Sequence, residues 1–274
     1  MRQWRLIYDT PTRGALNMGR DEAILRAVGA GQQPPTLRLY GWHPPCLSLG
    51  YGQRSNDVDF ERATTLGWDV VRRPTGGRAI LHSEELTYSV TLPTDHPIAA
   101  GSVVESYRRI STALLNALTR LGAQAAADQQ ASTIQAAGAV CFETPSHYEL
   151  TVSGRKLIGS AQVRRFGGVL QHGSLPLTGD IARICDGLAF ESEAEREAAR
   201  ARVRQRAATL VDVLANTAGD TAELWQQAAA AFMTAFSETF MLTFEQAQLS
   251  TEEALIAAEL AQSTYGSPAW TLRR

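Results

Sequence analysis

The sequence predicts an α+β fold in which a mixed, largely antiparallel β-sheet is packed with helices. Before about residue 180, short apolar runs bounded by Gly, Pro and Asp turn residues alternate with helical patterns. After that point the chain is alanine-rich and charged, and it carries helix-start patterns, so we expect a helix-rich C-terminal region. With 274 residues, 44% of them hydrophobic, the chain is long enough for a sizeable core, and we expect a single domain over residues 1–274.

The first ninety residues predict strands around one helix. "WRLIYDT" predicts a short strand, and "NMGRDEAILRAVGAG" predicts a helix that ends at glycines. "TLRLYGW" and "CLSLGYGQ" predict strands joined by a turn at His43, Pro44 and Pro45. "WDVVRRP" and "ELTYSVTLP" bracket "TGGRAILH", a pattern that predicts strand, glycine turn and strand.

The middle of the chain predicts a long helix followed by three strands. Over residues 103–121, apolar side chains recur at helical spacing, which predicts a core-facing side; they are Val104, Tyr107, Leu114, Leu115, Leu118 and Leu121. "AAADQQASTIQAAGAV" is small and polar and predicts a loop. "YELTVSGRKLIGSAQVRRFGGVLQHGSLPL" predicts three antiparallel strands with turns at "SG" and "FGG".

The C-terminal third predicts helices. "ESEAEREAARARVRQRAATL" predicts an exposed helix, for which a solvated face is favoured over a partner site. Two later helices are each predicted from a capping pair, Asp220 with Glu223 and Ser250 with Glu253.

Composition excludes several classes of function. A formal net charge of −2 without a basic block gives no reason to expect nucleic-acid or anionic-membrane binding. The N-terminus lacks the apolar region of a signal peptide, and charges or glycines interrupt every longer apolar run, so we expect a cytoplasmic protein. The three cysteines fit neither a zinc site nor a disulfide framework. We therefore expect no metal site. We expect Cys46, in a predicted strand, and Cys185, in the predicted amphipathic helix "DIARICDGLAF", to be buried and inert.

The densest candidate motif is "VVRRPTGGRAILHSEELTYSV", residues 70–90. Adjacent Gly76 and Gly77 allow the backbone to turn tightly and to approach a ligand closely. The flanking Arg72, Arg73 and Arg78 suit phosphate or carboxylate groups. The next strand adds a titratable imidazole, that of His82. The same residues fit an ordinary hairpin turn whose arginines face water, and composition leaves both readings open.

A second candidate lies in "GAVCFETPSHYELTVSGRKLIGSAQ", residues 138–162. Cys141 and Lys156 are 15 positions apart there. Cys141 is either a nucleophile activated by Lys156 or a buried thiol, and Lys156 is either its partner or a turn lysine. The residues alone favour the inert readings, because most lone cysteines in reduced compartments are structural.

Taken in order, these motifs resemble those of the biotin and lipoate protein ligase superfamily. "RRPTGGRAILH" resembles its Arg-Arg-x-Ser/Thr-Gly-Gly signature, and "NMGRDEAIL" resembles its Asn-Met-x-x-Asp-Glu helix. "PPCLSLGYGQ", "GRKLIGSAQVRRFGGVLQHGSLPL" and "YGSPAWTLRR" resemble further segments of the same families. "CFETPSHYEL" is similar to the cysteine loop of an octanoyltransferase branch. Ser83 departs from the pattern, because an aspartate often follows the histidine in the family.

The resemblance implies a set of site residues. Cys141 is implied as the nucleophile and Lys156 as the catalytic lysine. The residues implied to bind substrate are Arg73, Gly76, Gly77, Arg78, His82, Gly159, Ser160, Ala161, His172 and Gly173. For His82 and His172, a purely structural role, satisfying a backbone carbonyl, stays open.

The resemblance also implies the reaction. Octanoate would arrive as a phosphopantetheine thioester on acyl carrier protein, pass to Cys141, and move to a lysine of a lipoyl-domain protein, with the glycine-cleavage H protein as the expected acceptor. No ATP or other cofactor is expected, and the branch suggests a monomer. The alternatives are an ATP-dependent lipoate–protein ligase, an octanoyl amidotransferase acting between lipoyl proteins, and an inactive homologue that only binds acyl or lipoyl proteins.

Overall fold

The computed structural model describes residues 2–128, 149–214 and 220–273. The strands within these ranges are β1 (Arg2–Tyr8), β2 (Thr36–Tyr40), β3 (Cys46–Leu49), β4 (Asp69–Arg72), β5 (Ile80–His82), β6 (Glu85–Pro93), β7 (Ala126–Asp128), β8 (Glu149–Val152), β9 (Arg155–Arg165), β10 (Gly168–Pro176) and β11 (Leu242–Gln246). The α-helices are α1 (Gly14–Gly29), α2 (Phe60–Thr65), α3 (Val103–Arg120), α4 (Glu193–Arg206), α5 (Leu210–Val213), α6 (Thr221–Phe240), α7 (Thr251–Leu260) and α8 (Pro268–Thr271).

Eight strands form one sheet in the order β11-β1-β2-β6-β10-β9-β8-β7. The pairings of β1 with β11 and with β2 are parallel, and the other five are antiparallel. A second sheet has three strands in the order β4-β3-β5, with β4 parallel and β5 antiparallel to β3. The predicted class, a mixed and largely antiparallel sheet packed with helices, is confirmed.

The two faces of the large sheet carry different side chains because strand residues alternate in direction. Along β6, Leu86, Tyr88, Val90 and Leu92 belong to the main apolar core, which also contains the buried sides of α3 and α6. The residues between them are polar, and all of β6 except Pro93 is buried. This polar side of the sheet centre faces α1, and it supplies much of the site described below.

Most predicted elements are present, and the predicted turns and helix caps form at the residues that the sequence indicated. Ser153 and Gly154 both have positive φ, as do Phe166 and Gly167, which is the backbone of the tight turns that join β8 to β9 and β9 to β10. Helix α4 is largely exposed. The side chain of Asp220 caps α6, and Ser250 with Glu253 forms a capping box at α7.

The C-terminal region is helix-rich, as predicted, and it also contains β11, which pairs with β1 at the edge of the large sheet. Three predictions were wrong in detail. The loop predicted from residue 125 begins with a strand, β7, while its later part lies outside the described residues. Val104 lies on the exposed side of α3 rather than in the core. Cys185 lies in a 3-10 helix, Ile181–Gly187, rather than in an amphipathic α-helix.

The glycine motif is not a hairpin. Strands β4 and β5 both pair with β3, on opposite sides, so residues 73–79 cross over the end of that strand. The arginines before the glycines are buried, with Arg72 0% and Arg73 3% exposed. The interpretation as a surface turn with arginines facing water is therefore wrong.

Candidate active site

A cavity lies where the small sheet meets the polar side of the large sheet. It holds about 510 Å³ of empty space, including its opening to solvent. Part of its wall is apolar and comes from Met18, Tyr40, Trp42 and Ile80. The rest of the wall is formed by Ser48, Arg73, Gly77, His82, Thr87, Gly159, Ser160, Ala161, His172, Gly173 and Ser174.

The structure brings most of the implied substrate-binding residues to this cavity. Eight of the ten line it: Arg73, Gly77, His82, Gly159, Ser160, Ala161, His172 and Gly173. Gly76 and Arg78 lie in the same loop but do not form its wall. Cys141, the implied nucleophile, lies outside the described residues.

Lys156 lies beside the cavity wall and is almost completely buried, with 2% of its surface exposed. A Cβ placed on Gly159 would lie 3.2 Å from the Cε atom of Lys156 and 3.6 Å from its Nζ atom. The end of this side chain therefore lies against Gly159, a residue of the cavity wall. The backbone is fixed from the C-terminal region, because the Lys156 carbonyl accepts a hydrogen bond of 3.0 Å from the Ala208 N–H.

The sequence offered a further sign of the importance of Lys156. Lysine and arginine together number 26, and Lys156 is the single lysine among them. Arginine is always charged in proteins, whereas a lysine amine can lose its proton and act as a base. The chain thus uses arginine in place of lysine at every position except 156, and the amine of Lys156 lies against Gly159 of the cavity wall.

His172 is held by a buried polar network that reaches α1. Its Nδ1 is 3.1 Å from Oδ2 of Asp21, and its Nε2 is 2.7 Å from Oγ1 of Thr75. Asp21 also binds Arg38 at 2.8 Å and accepts from the Tyr40 hydroxyl at 2.9 Å. Burial opposes ionisation of Asp21, but Arg38, His172 and Tyr40 together lower its pKa. The ionised carboxylate assigns the proton of His172 to Nδ1 and leaves Nε2 to accept from Thr75.

Burial lowers the pKa of His172, although Asp21 opposes this shift. A neutral imidazole whose two nitrogens both have partners is well suited to shaping the wall and holding the glycine loop. Asp21 and Thr75 were not predicted as site residues. The spacing of Asn17 and Asp21 was the available pattern, because residues i and i+4 share one side of a helix.

His82 belongs to a second network in the cavity wall. Its Nδ1 is 2.7 Å from Oε1 of Glu85, and its Nε2 is 2.8 Å from Oγ of Ser48. Glu85 also accepts from the hydroxyls of Thr87 and Ser174. The carboxylate missing at Ser83 is thus supplied two residues later, at Glu85, which sequence reasoning did not identify.

The imidazole of His82 is also fixed by stacking. Its ring lies 4.0 Å from the Trp42 ring, centroid to centroid, at an interplanar angle of 12°. The indole N–H of Trp42 donates to Oγ1 of Thr87 at 2.7 Å. The ring plane of His82 is therefore set both by hydrogen bonds and by an aromatic neighbour.

The two consecutive arginines bind the protein itself. Arg72 donates to the carbonyls of Gly50, Gln53 and Thr271. Arg73 donates to the carbonyls of Gly76 and Arg78, and to both oxygens of Ser48. These bonds stabilise the shape of the glycine loop, so Arg73 borders the cavity while its donors hold the loop.

Another part of the wall is formed by strands β9 and β10. Ser160 Oγ is 2.7 Å from the Tyr88 hydroxyl, whose pKa burial raises to about 12. A Cβ on Gly173 would lie 2.6 Å from Cε1 of Tyr88 and 2.7 Å from the Gly159 carbonyl oxygen. No larger residue fits at 173, because β6, β9 and β10 approach too closely there.

The remaining cysteines are buried, as predicted. Cys46 and Cys185 are buried free thiols, and burial, with Asp69 and Glu85, raises the pKa of Cys46 well above its ordinary value.

Among residues 2–128, 149–214 and 220–273, no group of three or more His, Cys, Asp or Glu side chains is placed to hold a metal ion. Across the same ranges, no helix has the length and apolar character needed to span a membrane.

Family comparison identifies related sequences along the whole chain. Residues 13–233 match the family model described as the lipoyl protein ligase A/B catalytic domain. The protein called octanoyltransferase LipM from Carboxydothermus hydrogenoformans is 41% identical over 274 residues, covering 100% of both chains. The octanoyltransferase LipM from Kyrpidia tusciae is also 41% identical, over 280 residues and 100% of both chains.

Solved structures share the fold. A bipartite lipoate protein ligase from Thermoplasma acidophilum superposes with a TM-score of 0.82 at 23% identity, covering 99% of this chain and 97% of that one. A lipoate-protein ligase A bound with ATP gives a TM-score of 0.79 at 23% identity, covering 99% of each chain. At this level of identity the likeness establishes the architecture and leaves the activity to the closer sequence relatives.

Proposed function

This chain belongs to the lipoyl protein ligase A/B catalytic-domain family, and we propose that it is an octanoyltransferase of lipoate biosynthesis. The observation that carries the proposal is the 41% identity, over the full length, to proteins named octanoyltransferase. The cavity supports it, because part of its wall is apolar and suits an acyl chain, and the side chain of the only lysine in the sequence lies against Gly159 of the same wall.

We propose that the reaction runs in two acyl transfers. The thiolate of Cys141 attacks the octanoyl thioester of acyl carrier protein, which releases the carrier thiol and leaves octanoyl-Cys141. The lysine amine of a lipoyl-domain protein then attacks this thioester, which forms an amide and frees the cysteine. The glycine-cleavage H protein is the proposed acceptor. The amide is more stable than the thioester, so the second transfer proceeds without ATP.

Lys156 is proposed to promote both steps. A cysteine of pKa about 8.5 is mostly protonated near neutral pH. An ammonium about 4 Å from the sulfur, at an effective dielectric constant near 20, would favour the thiolate by about 4 kcal/mol before desolvation is subtracted. In the first step the Lys156 ammonium gives its proton to the departing carrier thiolate, and in the second step the neutral amine accepts the proton that the attacking amine must lose.

The proposed mechanism is tested by incubating the protein with octanoyl-acyl carrier protein in the absence of ATP. Mass spectrometry should detect a hydroxylamine-labile octanoyl adduct on the peptide that contains Cys141. Cys141→Ser should abolish transfer to a lipoyl domain, whereas Cys46→Ser, at a buried thiol of raised pKa, should leave the adduct in place. Transfer that requires ATP would instead favour the ligase alternative, and transfer by Cys141→Ser would exclude the thioester.

A further inference from the structure

Three side chains on the small sheet and the start of β6 have the hydrogen-bond pattern of a nucleophilic triad. Ser48 Oγ is 2.8 Å from Nε2 of His82, and Nδ1 of the same ring is 2.7 Å from Oε1 of Glu85. A serine bound to one imidazole nitrogen, with a carboxylate on the other, is the arrangement that activates a hydroxyl for attack on a carbonyl. We propose that Ser48, His82 and Glu85 form a second acyl-accepting centre, independent of Cys141.

The proton positions required for such a centre follow from the neighbouring groups. Glu85 accepts from the hydroxyls of Thr87 and Ser174, so its carboxylate also accepts the Nδ1–H of His82. Nε2 is then unprotonated and takes the hydrogen of the Ser48 hydroxyl. The Trp42 ring, stacked at 4.0 Å, holds the imidazole in the plane that both bonds need.

The guanidinium of Arg73 places a positive charge beside the Ser48 hydroxyl. Nη1 of Arg73 donates to Ser48 Oγ at 3.1 Å. A guanidinium at this distance stabilises the alkoxide character that develops on the oxygen during attack. Ser160, by contrast, lines the same cavity but is bound to the Tyr88 phenol rather than to a base.

The cavity indicates the substrate class. Ser48 and His82 both line it, together with the apolar side chains of Met18, Trp42 and Ile80. A medium-length acyl chain on that wall presents its carbonyl to the polar side, where Ser48 lies. The substrates of this centre are therefore activated esters and thioesters of medium-chain fatty acids.

The step balances without a cofactor. Ser48 Oγ bonds to the acyl carbon while its proton passes to Nε2 of His82. The bond to the leaving thiol or phenol breaks, and that group takes the proton from Nε2. Water then attacks acyl-Ser48 by the same route, which releases the carboxylic acid and restores the hydroxyl.

The test uses a background in which the proposed cysteine chemistry is absent. Full-length Cys141→Ala is incubated with 4-nitrophenyl octanoate, the release of 4-nitrophenol is followed, and the acylated peptide is mapped by mass spectrometry. We expect an octanoyl ester on the peptide of β3 that contains Ser48. Adding Ser48→Ala should remove this adduct and lower the release by at least about tenfold.

Two further variants separate chemistry from folding. Ser106→Ala removes a buried serine bound to Gln162, which is not one of the cavity-lining residues, and should leave the adduct and the release unchanged. Glu85→Gln should slow acylation by at least about tenfold because it cannot stabilise the imidazolium. An adduct mapped elsewhere, no adduct at all, or equal release with and without Ser48 would overturn the proposal. If Ser48→Ala loses its fold by circular dichroism, the peptide mapped in Cys141→Ala decides alone.

Discussion

The two adjacent glycines of the crossover loop have different structural demands. Gly77 has φ of +96°, which side chains rarely adopt, and a Cβ there would lie 2.8 Å from Nη2 of Arg73. Gly76 has no heavy atom within 4 Å of an added Cβ. The structure therefore requires glycine at 77 for conformation, and it leaves open space at 76 beside the cavity.

We predict that Gly77→Ala lowers the free energy of unfolding by about 1–3 kcal/mol, because it forces strained backbone and displaces Arg73. Gly76→Ala is the matched control and should change that free energy by less than about 1 kcal/mol. Urea denaturation of both variants measures the difference. Equal losses in the two variants would contradict the asymmetry.

A pH dependence of stability follows from His172. Burial lowers its pKa in the folded protein, with Arg73 and His82 adding to the shift and Asp21 opposing it. As the pH falls below about 6.5, the unfolded chain binds a proton that the folded protein takes up only at lower pH. The contribution of neutral His172 to the free energy of unfolding is therefore fully present above about pH 6.5 and declines as the pH falls below that value.

We therefore expect the stability advantage of wild type over His172→Gln to narrow as the pH falls from 7.5 to 5.5. Urea denaturation at the two pH values measures it. Asp21 does not interfere, because its pKa lies below the ordinary carboxyl range and its contribution is lost only at more acidic pH. An advantage that stays constant or widens between these pH values would show that His172 does not titrate as its burial requires.

Elements that depend on neighbouring residues were predicted well. The turns at Ser153-Gly154 and Phe166-Gly167 are specified by local conformation, and the caps of α6 and α7 by residues three positions apart. Pairings between distant segments were not. Nothing in "LTFEQ" indicates that β11 lies beside β1, more than 230 residues away, because parallel pairing leaves no local pattern.

The short C-terminal helix α8 is attached to the small sheet by Arg72. Nη2 of Arg72 donates to the Thr271 carbonyl at 2.7 Å, and the Trp270 indole N–H donates to the Arg72 carbonyl at 2.8 Å. The same guanidinium binds the loop after β3 through the carbonyls of Gly50 and Gln53. One buried side chain thus joins α8, β4 and the loop that borders the glycine motif.

We predict that Arg72→Lys lowers the free energy of unfolding by at least about 3 kcal/mol. A lysine ammonium cannot reach both the carbonyls of the loop after β3 and the carbonyl of Thr271 in α8. Some of these buried acceptors would therefore lose a hydrogen bond from a charged donor, worth about 1.5–3 kcal/mol each. Arg54→Lys, at an exposed residue in the loop after β3, should lower the free energy of unfolding by less than about 0.5 kcal/mol. Equal midpoints of urea denaturation for the two variants would contradict this role.

For the molecule as a whole, the sequence identified the residues that line the cavity better than the buried partners that hold the two histidines in place. The glycines and histidines that line it stand in recognisable motifs, and eight of the ten implied substrate-binding residues meet there. Asp21, Ser48 and Glu85 were not identified, because each contacts its histidine from a different segment. Spatial partners of this kind depend on how the two sheets and α1 pack, which no single stretch of sequence specifies.

The scarcity of lysine has a consequence for an enzyme that is proposed to transfer acyl groups to lysine. Every cationic side chain except Lys156 is an arginine, and Lys156 is 2% exposed. A guanidinium stays protonated and does not attack a thioester, whereas a free amine does. The protein surface therefore offers no lysine that could take octanoate from the enzyme's own thioester in place of the acceptor.

We predict that a lysine introduced near the cavity becomes octanoylated. Arg78 follows Gly77, a residue of the cavity wall, so Arg78→Lys should gain a hydroxylamine-stable octanoyl group when supplied with octanoyl-acyl carrier protein. Arg120→Lys, at the exposed end of α3, is the matched control and should stay unmodified. Intact-mass analysis after hydroxylamine treatment distinguishes the amide from the thioester. Equal modification of both variants would show that octanoate transfer is not confined to the cavity, and no modification of Arg78→Lys would show that position 78 lies beyond its reach.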